Sequence, residues 1–193
     1  MYKSKEIRWF KNSSGKVIRN RFASQGQTFE NTEPRTDHYL PLDKDDITVK
    51  LREGNIEIMQ RIGEAAKGML TKTTEGVFEH WIKWSFNADK ADKGSQTIVS
   101  SNPHNWIETI KTRIGVKLTE NAHGDLQIIP IKSFVDFRCQ IEYALLQIKG
   151  KTIYTFGLEW FWEKELHLLH ELLSETLSHA HLDIGDSMDM KSI

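Results

Sequence analysis

From Asp46 to Arg52 the chain alternates without interruption: Ile47, Val49 and Leu51 fall on one side, Thr48, Lys50 and Arg52 on the other. A period of two belongs to an extended strand, so this segment has one apolar face and one face carrying cations. Glu53-Gly54-Asn55 reads as a turn, and Ile56 to Ile62 as the returning arm of a hairpin on which Arg61 converges with Lys50 and Arg52. Convergent cations repel one another and are stabilised by an anion, and the planar fork of arginine suits phosphate.

The same two-sided pattern recurs along the chain. Ile7 to Phe10 is a short strand before the polar turn Asn12-Ser13-Ser14-Gly15. Val77 to Phe86 sets Phe78, His80, Ile82, Trp84 and Phe86 against a side carrying Glu79 and Lys83. Arg113 to Leu118 is a strand, Asn121 to Asp125 a turn, and Leu126 to Ile131 an edge strand or a short piece of strand, because Pro130 removes a ladder donor. Arg138 to Ile148 and Thr152 to Trp162 form a hairpin across Lys149-Gly150-Lys151. Its second arm has Tyr154, Phe156, Leu158, Trp160 and Trp162 on the core side, with Glu159 isolated opposite them between Gly157 and Phe161.

Elsewhere the pattern predicts loop over Gln25 to Pro34, a short helix over Glu64 to Leu70 ending near Gly68, and an exposed loop over Ala88 to Gln96. His104 to Thr112 reads as starting helical. Glu163 to Ala180 is the clearest helix, with Leu166, Leu169, Leu173, Thr176 and Ala180 at helical spacing, and the tail from Asp183 is expected to fray, residues 185–193 above all.

Composition narrows the functional classes. At 193 residues, with 38% apolar and 27% charged residues, one domain spanning 1–193 is expected. No apolar run reaches the ~20 residues of a membrane helix, and the N-terminus lacks a secretory pattern. The net charge of −1 does not point to nucleic acid, although it leaves room for a concentrated basic site. Cys139 is the only cysteine, so a reducing, cytoplasmic setting is expected, with Cys139 as a buried thiol.

Other signals have plainer explanations. His167 and His170, with Glu171, share a helix face but do not form a zincin motif and read as surface histidines. Trp84, Trp160 and Trp162 read as packing residues. The charged strand faces themselves admit two readings: the wet side of an antiparallel sheet, or the lining of a shared cavity.

The order of the motifs resembles the CYTH superfamily of triphosphate tunnel metalloenzymes. Lys5-Glu6-Ile7-Arg8-Trp9-Phe10 stands where that family carries an opening Glu-x-Glu-x-Lys strand; only Glu6 matches, with Arg8 at the second glutamate and Phe10 at the lysine. Ile47 to Glu53 is similar to its basic strand, Ile58 to Arg61 to the following strand, Ile110 to Arg113 to its Lys-x-Arg strand, and Ile141 to Glu159 to its closing hairpin. The resemblance implies an α+β, mainly β fold: an antiparallel eight-stranded barrel, or tunnel, with outer helices including a C-terminal one. It implies binding of a polyphosphate or organic triphosphate by Arg8, Lys50, Arg52, Arg61, Lys83, Lys111, Arg113 and Arg138. It further implies Mg²⁺ or Mn²⁺ held by Glu6, Glu142 and Glu159, supporting hydrolysis, with a non-catalytic anion- or acidic-partner-binding module as the alternative. Arg8 reverses a charge where a divalent ion needs oxygen ligands, so weakened metal binding is expected.

Overall fold

In the computed structural model the two-residue period is kept with charge inside and apolar side chains outside. The structure describes residues 1–88, 93–100, 105–133, 139–161, 171–180 and 182–187. The described elements run β1 (Tyr2–Lys11), α1 (Lys16–Ala23), β2 (Arg35–Leu40), β3 (Ile47–Arg52), β4 (Asn55–Arg61), β5 (Ala66–Thr71) and β6 (Thr74–Asn87). They continue with α2 (Lys93–Ser100), β7 (Ile107–Glu120), β8 (Leu126–Pro130), β9 (Cys139–Ile148), β10 (Lys151–Phe161) and α3 (Glu171–His179).

The strands pair in the order β1-β10-β9-β7-β2-β3-β4-β6, and β6 pairs again with β1, so these eight close an antiparallel barrel. Closure satisfies the edges that an open sheet would expose. Outside the ring, β5 extends the sheet from β6 and β8 from β7. No helix among the described residues is long and apolar enough to cross a membrane.

The main core lies outside the barrel wall. Ile7 and Trp9 of β1, Ile114 and Val116 of β7, Ile141 and Tyr143 of β9, and Phe156 and Leu158 of β10 pack with Ile18 and Phe22 of α1 and Leu177 of α3. Trp9 also donates its Nε1–H to the carbonyl of Glu75 at 2.7 Å, so this indole is fully used in packing. A second, smaller cluster of Phe10, Ala144, Leu146 and Ile153 occupies lumen-side positions near the β9–β10 turn. It fills that end of the barrel with hydrocarbon and leaves the charged cavity in the remainder.

Several elements differ from the sequence expectation. β5 replaces the expected helix over Glu64 to Leu70, because the free edge of β6 supplies a ladder that overrides local helix propensity. Helix α1, for which the pattern gave no signal, buries only Ile18 and Phe22, too narrow a stripe to stand out. β2 has no apolar face to reveal it. Helix α2 begins at Lys93, inside the loop expected over Ala88 to Gln96, and the segment expected to start helical is strand from Ile107 onward, where Ile107, Thr109, Ile110 and Thr112 suit a pleated surface. On β6 Phe78 packs against the outer core and Phe86 is exposed, while Trp81 is buried in the lumen and the half-buried Trp84 also borders the cavity.

The tail is docked as far as residue 187, contrary to the expected fraying. Phe10 donates to the Asp186 carbonyl at 2.7 Å, and the Ser187 hydroxyl donates to the Arg8 carbonyl while accepting from the Val77 amide. Leu166, Leu169, Trp162, His167, His170 and Arg138 lie outside the described residues.

Candidate functional site

A cavity of about 170 Å³ occupies the charged lumen. Glu6, Arg8, Lys50, Arg52, Lys83, Lys111, Arg113, Glu142 and Glu159, all singled out in the sequence, line it together. Arg61 does not line it but pairs at 3.1 Å with Glu79, which does. The shared cavity follows from the alternation: each residue sits at an inward position of a barrel strand, and barrel closure turns eight charged faces toward one axis.

Two chains of ion pairs cross the lumen. In the first, Arg8 binds Glu6 Oε1 through Nε at 3.0 Å and Glu142 Oε1 through Nη1 at 3.0 Å. Glu142, only 3% exposed, also receives Lys111 Nζ at 2.7 Å and Arg113 Nη1 at 3.4 Å. Lys83 reaches Glu6 Oε2 at 3.1 Å and Glu159 Oε1. In the second, Lys50 pairs with Glu57 at 2.9 Å, and Arg52 pairs with Glu57 and bidentately with the fully buried Asp37.

Electrostatics separate these groups. Burial works against a charged Glu142, but Lys111, Arg8 and Arg113 outweigh it and hold the carboxyl well below its usual range. Burial likewise opposes the charge on Lys83, yet Glu159 and Glu6 prevail and keep it firmly protonated. Lys111 goes the other way: burial, with Arg8 and Arg35 nearby, exceeds the help of Glu142 and brings it down to about 7. Lys50 falls to about 8, from burial and then Arg52, against Glu57.

Some polar and charged lining residues were not among the sequence candidates. Arg35 and Tyr39 come from β2, and Glu57 from β4, opposite Lys50 in the ladder. Arg35, Asp37 and Tyr39 do share a period of two, but Thr36 and His38 on the other side give no apolar contrast, so β2 resembled a polar connection.

The divalent ion implied by the resemblance can be tested against this donor set. Glu6 and Glu142 do not face each other across open space; the Arg8 guanidinium bridges them, and Glu159 is taken by Lys83. Among the described residues no group of three or more His, Cys, Asp or Glu side chains is placed to hold a metal ion. A hard cation needs several free oxygens, and these carboxylates already have cations in contact. The residues as arranged do not fit a divalent metal.

The closed antiparallel eight-stranded barrel with a charged lumen is the fold that the sequence resemblance implied. No family model matches the chain, and no curated protein matches it. Among solved structures the chain is similar to the PH1012 protein from Pyrococcus horikoshii OT3, at 13% identity over 95% of this chain and 94% of that one, with a TM-score of 0.44. It is also similar to a protein from Bacillus halodurans described as a "putative adenylate cyclase", at 10% identity over 92% of this chain and 88% of that one, also with a TM-score of 0.44.

Proposed function

We propose that the barrel is a receptor for a compact polyphosphate, or for the triphosphate end of an organic compound, that it holds without a divalent ion. The observation that carries this reading is the convergence of Arg8, Arg35, Lys50, Arg52, Lys83, Lys111 and Arg113 on one cavity of about 170 Å³. Cations gathered in a partly desolvated space favour a multiply charged anion, because each phosphate oxygen replaces water that burial has removed. The volume lies below the ~300–1,000 Å³ of sites that enclose drug-sized organic ligands, which favours a phosphate chain over a nucleoside inside the barrel. Hydrolysis does not follow from this arrangement, since the carboxylates that would hold a metal are bound to Arg8, Lys83, Lys111 and Arg113.

The test is calorimetry and thermal shift with tripolyphosphate in the presence of a chelator. Binding is expected without added metal, falling steeply with salt, and a ligand at 100 times its dissociation constant should add about 2.7 kcal/mol of stability. Phosphate release is to be measured with Mg²⁺ and Mn²⁺ in parallel. Binding that requires a divalent ion, or sustained metal-dependent turnover, would replace this reading with the enzymatic one.

A further inference from the structure

The lumen is electrically divided, and the division follows the strand order. The contiguous strands β9, β7, β2 and β3 contribute Arg35, Lys50, Arg52, Lys111 and Arg113 to the cavity against a single lining carboxylate, Glu142, with Asp37 buried behind Arg52. The other contiguous half, β4, β6, β1 and β10, contributes Glu6, Glu57, Glu79 and Glu159 against Arg8 and Lys83, with Arg61 behind Glu79. One half-barrel therefore has more cations than carboxylates and the other the reverse.

Within the basic half the shortage of counter-charge concentrates around Arg35. Arg35 stands directly opposite Lys111 in the β2–β7 ladder. Glu142 is already shared by Lys111, Arg113 and Arg8, and Asp37 gives both oxygens to Arg52 at 2.8 and 2.9 Å. What remains for Arg35 is poor: Nη2 lies a long 3.5 Å from Asp37 Oδ2, and Nε lies 3.2 Å from Oδ1 without the geometry of a hydrogen bond. That Nε is buried and has no hydrogen-bond partner among the described residues. A buried, unmatched guanidinium donor costs free energy unless something else accepts from it. Burial and the neighbouring Arg52, opposed by Asp37, lower the pKa of Arg35, in keeping with a crowded cation.

Resting on the tunnel as an anion receptor, we infer that Arg35, with Lys111 and Arg113, is the anchor for a phosphate group, so that the ligand binds against the β2–β7 wall rather than along the tunnel axis. Arg35 supplies the fork, Lys111 and Arg113 the flanking charge, and a ligand oxygen accepts from Arg35 Nε, the donor left without a hydrogen-bond partner among the described residues. The acidic half needs no ligand: Lys83 is held between Glu6 and Glu159.

Titration of Arg35→Gln, Arg35→Lys and Arg61→Gln with tripolyphosphate in chelator tests this. Arg35→Gln should weaken binding about tenfold or more, the scale of a lost charge-assisted hydrogen bond. Arg35→Lys should fall between Gln and wild type, since it keeps the charge but loses the fork. Arg61→Gln, on the acidic half, should change affinity less than about threefold. The melting temperature without ligand is a second readout: Arg35→Gln should leave it unchanged or raise it, because a crowded cation is removed. Wild-type affinity in Arg35→Gln, or a clear drop in its unliganded melting temperature, overturns the anchor. Absence of wild-type binding overturns the receptor reading itself, which is a separate result.

Discussion

Arg8 lies across the backbone of Gly157, its partner in the β1–β10 ladder, so closely that a Cβ at 157 would stand 2.9 Å from the guanidinium carbon. Gly157 in turn is the ladder partner of Glu142. The missing side chain opens the path by which Arg8 reaches that carboxylate.

Gly157→Ala should therefore act through Arg8. Overpacking of this kind costs about 1–3 kcal/mol, and the cost should shrink when the same substitution is made in an Arg8→Ala background. Urea denaturation of the four proteins measures the coupling. Equal costs in both backgrounds would show that the glycine serves something other than the arginine.

Arg8→Glu should convert the Glu6–Glu142 bridge into a cluster of oxygens. Mn²⁺ affinity, measured by calorimetry, is expected to rise from negligible in wild type to measurable in the variant. Stability without metal should fall, because like charges then crowd where an ion pair stood. A wild type that binds Mn²⁺ as tightly as the variant would mean that Arg8 does not stand in for a cation.

Asp37 is fully buried and carries the bidentate bond from Arg52. Asp37→Ala leaves Arg52 with Glu57 alone and removes the nearest anion from Arg35. Breaking a buried pair from one side typically costs about 3–5 kcal/mol. Chemical denaturation should show a loss in that range, whereas a loss below about 1 kcal/mol would place Arg52 in effective contact with water.

Acid should weaken the fold in a defined window. Glu6, Asp37, Glu57 and Glu142 all have folded pKa values below their ordinary ones: burial raises each, and neighbouring cations more than offset it. Depressed carboxyls contribute stability that is present above the unfolded values, near 4, and lost as pH falls through the folded ones. Denaturation midpoints should thus drop steeply from about pH 4 toward pH 2.

Alkali should act on binding. Lys111, near 7, faces Glu142 of β9, Arg8 of β1, Arg35 of β2 and Arg113 of its own strand; Lys50, near 8, faces Glu57 of β4, Asp37 of β2 and Arg52. Both lysines lose protons on the way to pH 9, so tripolyphosphate affinity should decline from pH 7 to 9. Lysines with depressed folded values bind fewer protons folded than unfolded over that range, so unliganded stability gains from them as affinity falls. Calorimetry in two buffers of different ionisation enthalpy should detect proton uptake on binding at neutral pH, reduced in Lys111→Met.

The sequence by itself determined the strand faces: the alternation in Ile47–Arg52, the lone Glu159 opposite Phe156, Leu158 and Trp160, and the turn at Lys149-Gly150. Period-two patterning is a local property, and it showed which side chains share a face and that one face is charged. Tertiary structure decided what local pattern cannot encode, namely that β6 returns to β1 and turns those faces inward, with the apolar sides packed beneath α1 and α3. It also decided the partners. Arg8 was legible as a reversed charge, but its reach across Gly157 to Glu142 depends on the β1–β10–β9 register, and Arg35 became a lumen residue only when β2 paired between β3 and β7. A strand whose two faces are both polar has no hydrophobic contrast to announce it, so Arg35, Asp37 and Tyr39 were hidden until long-range pairing placed them.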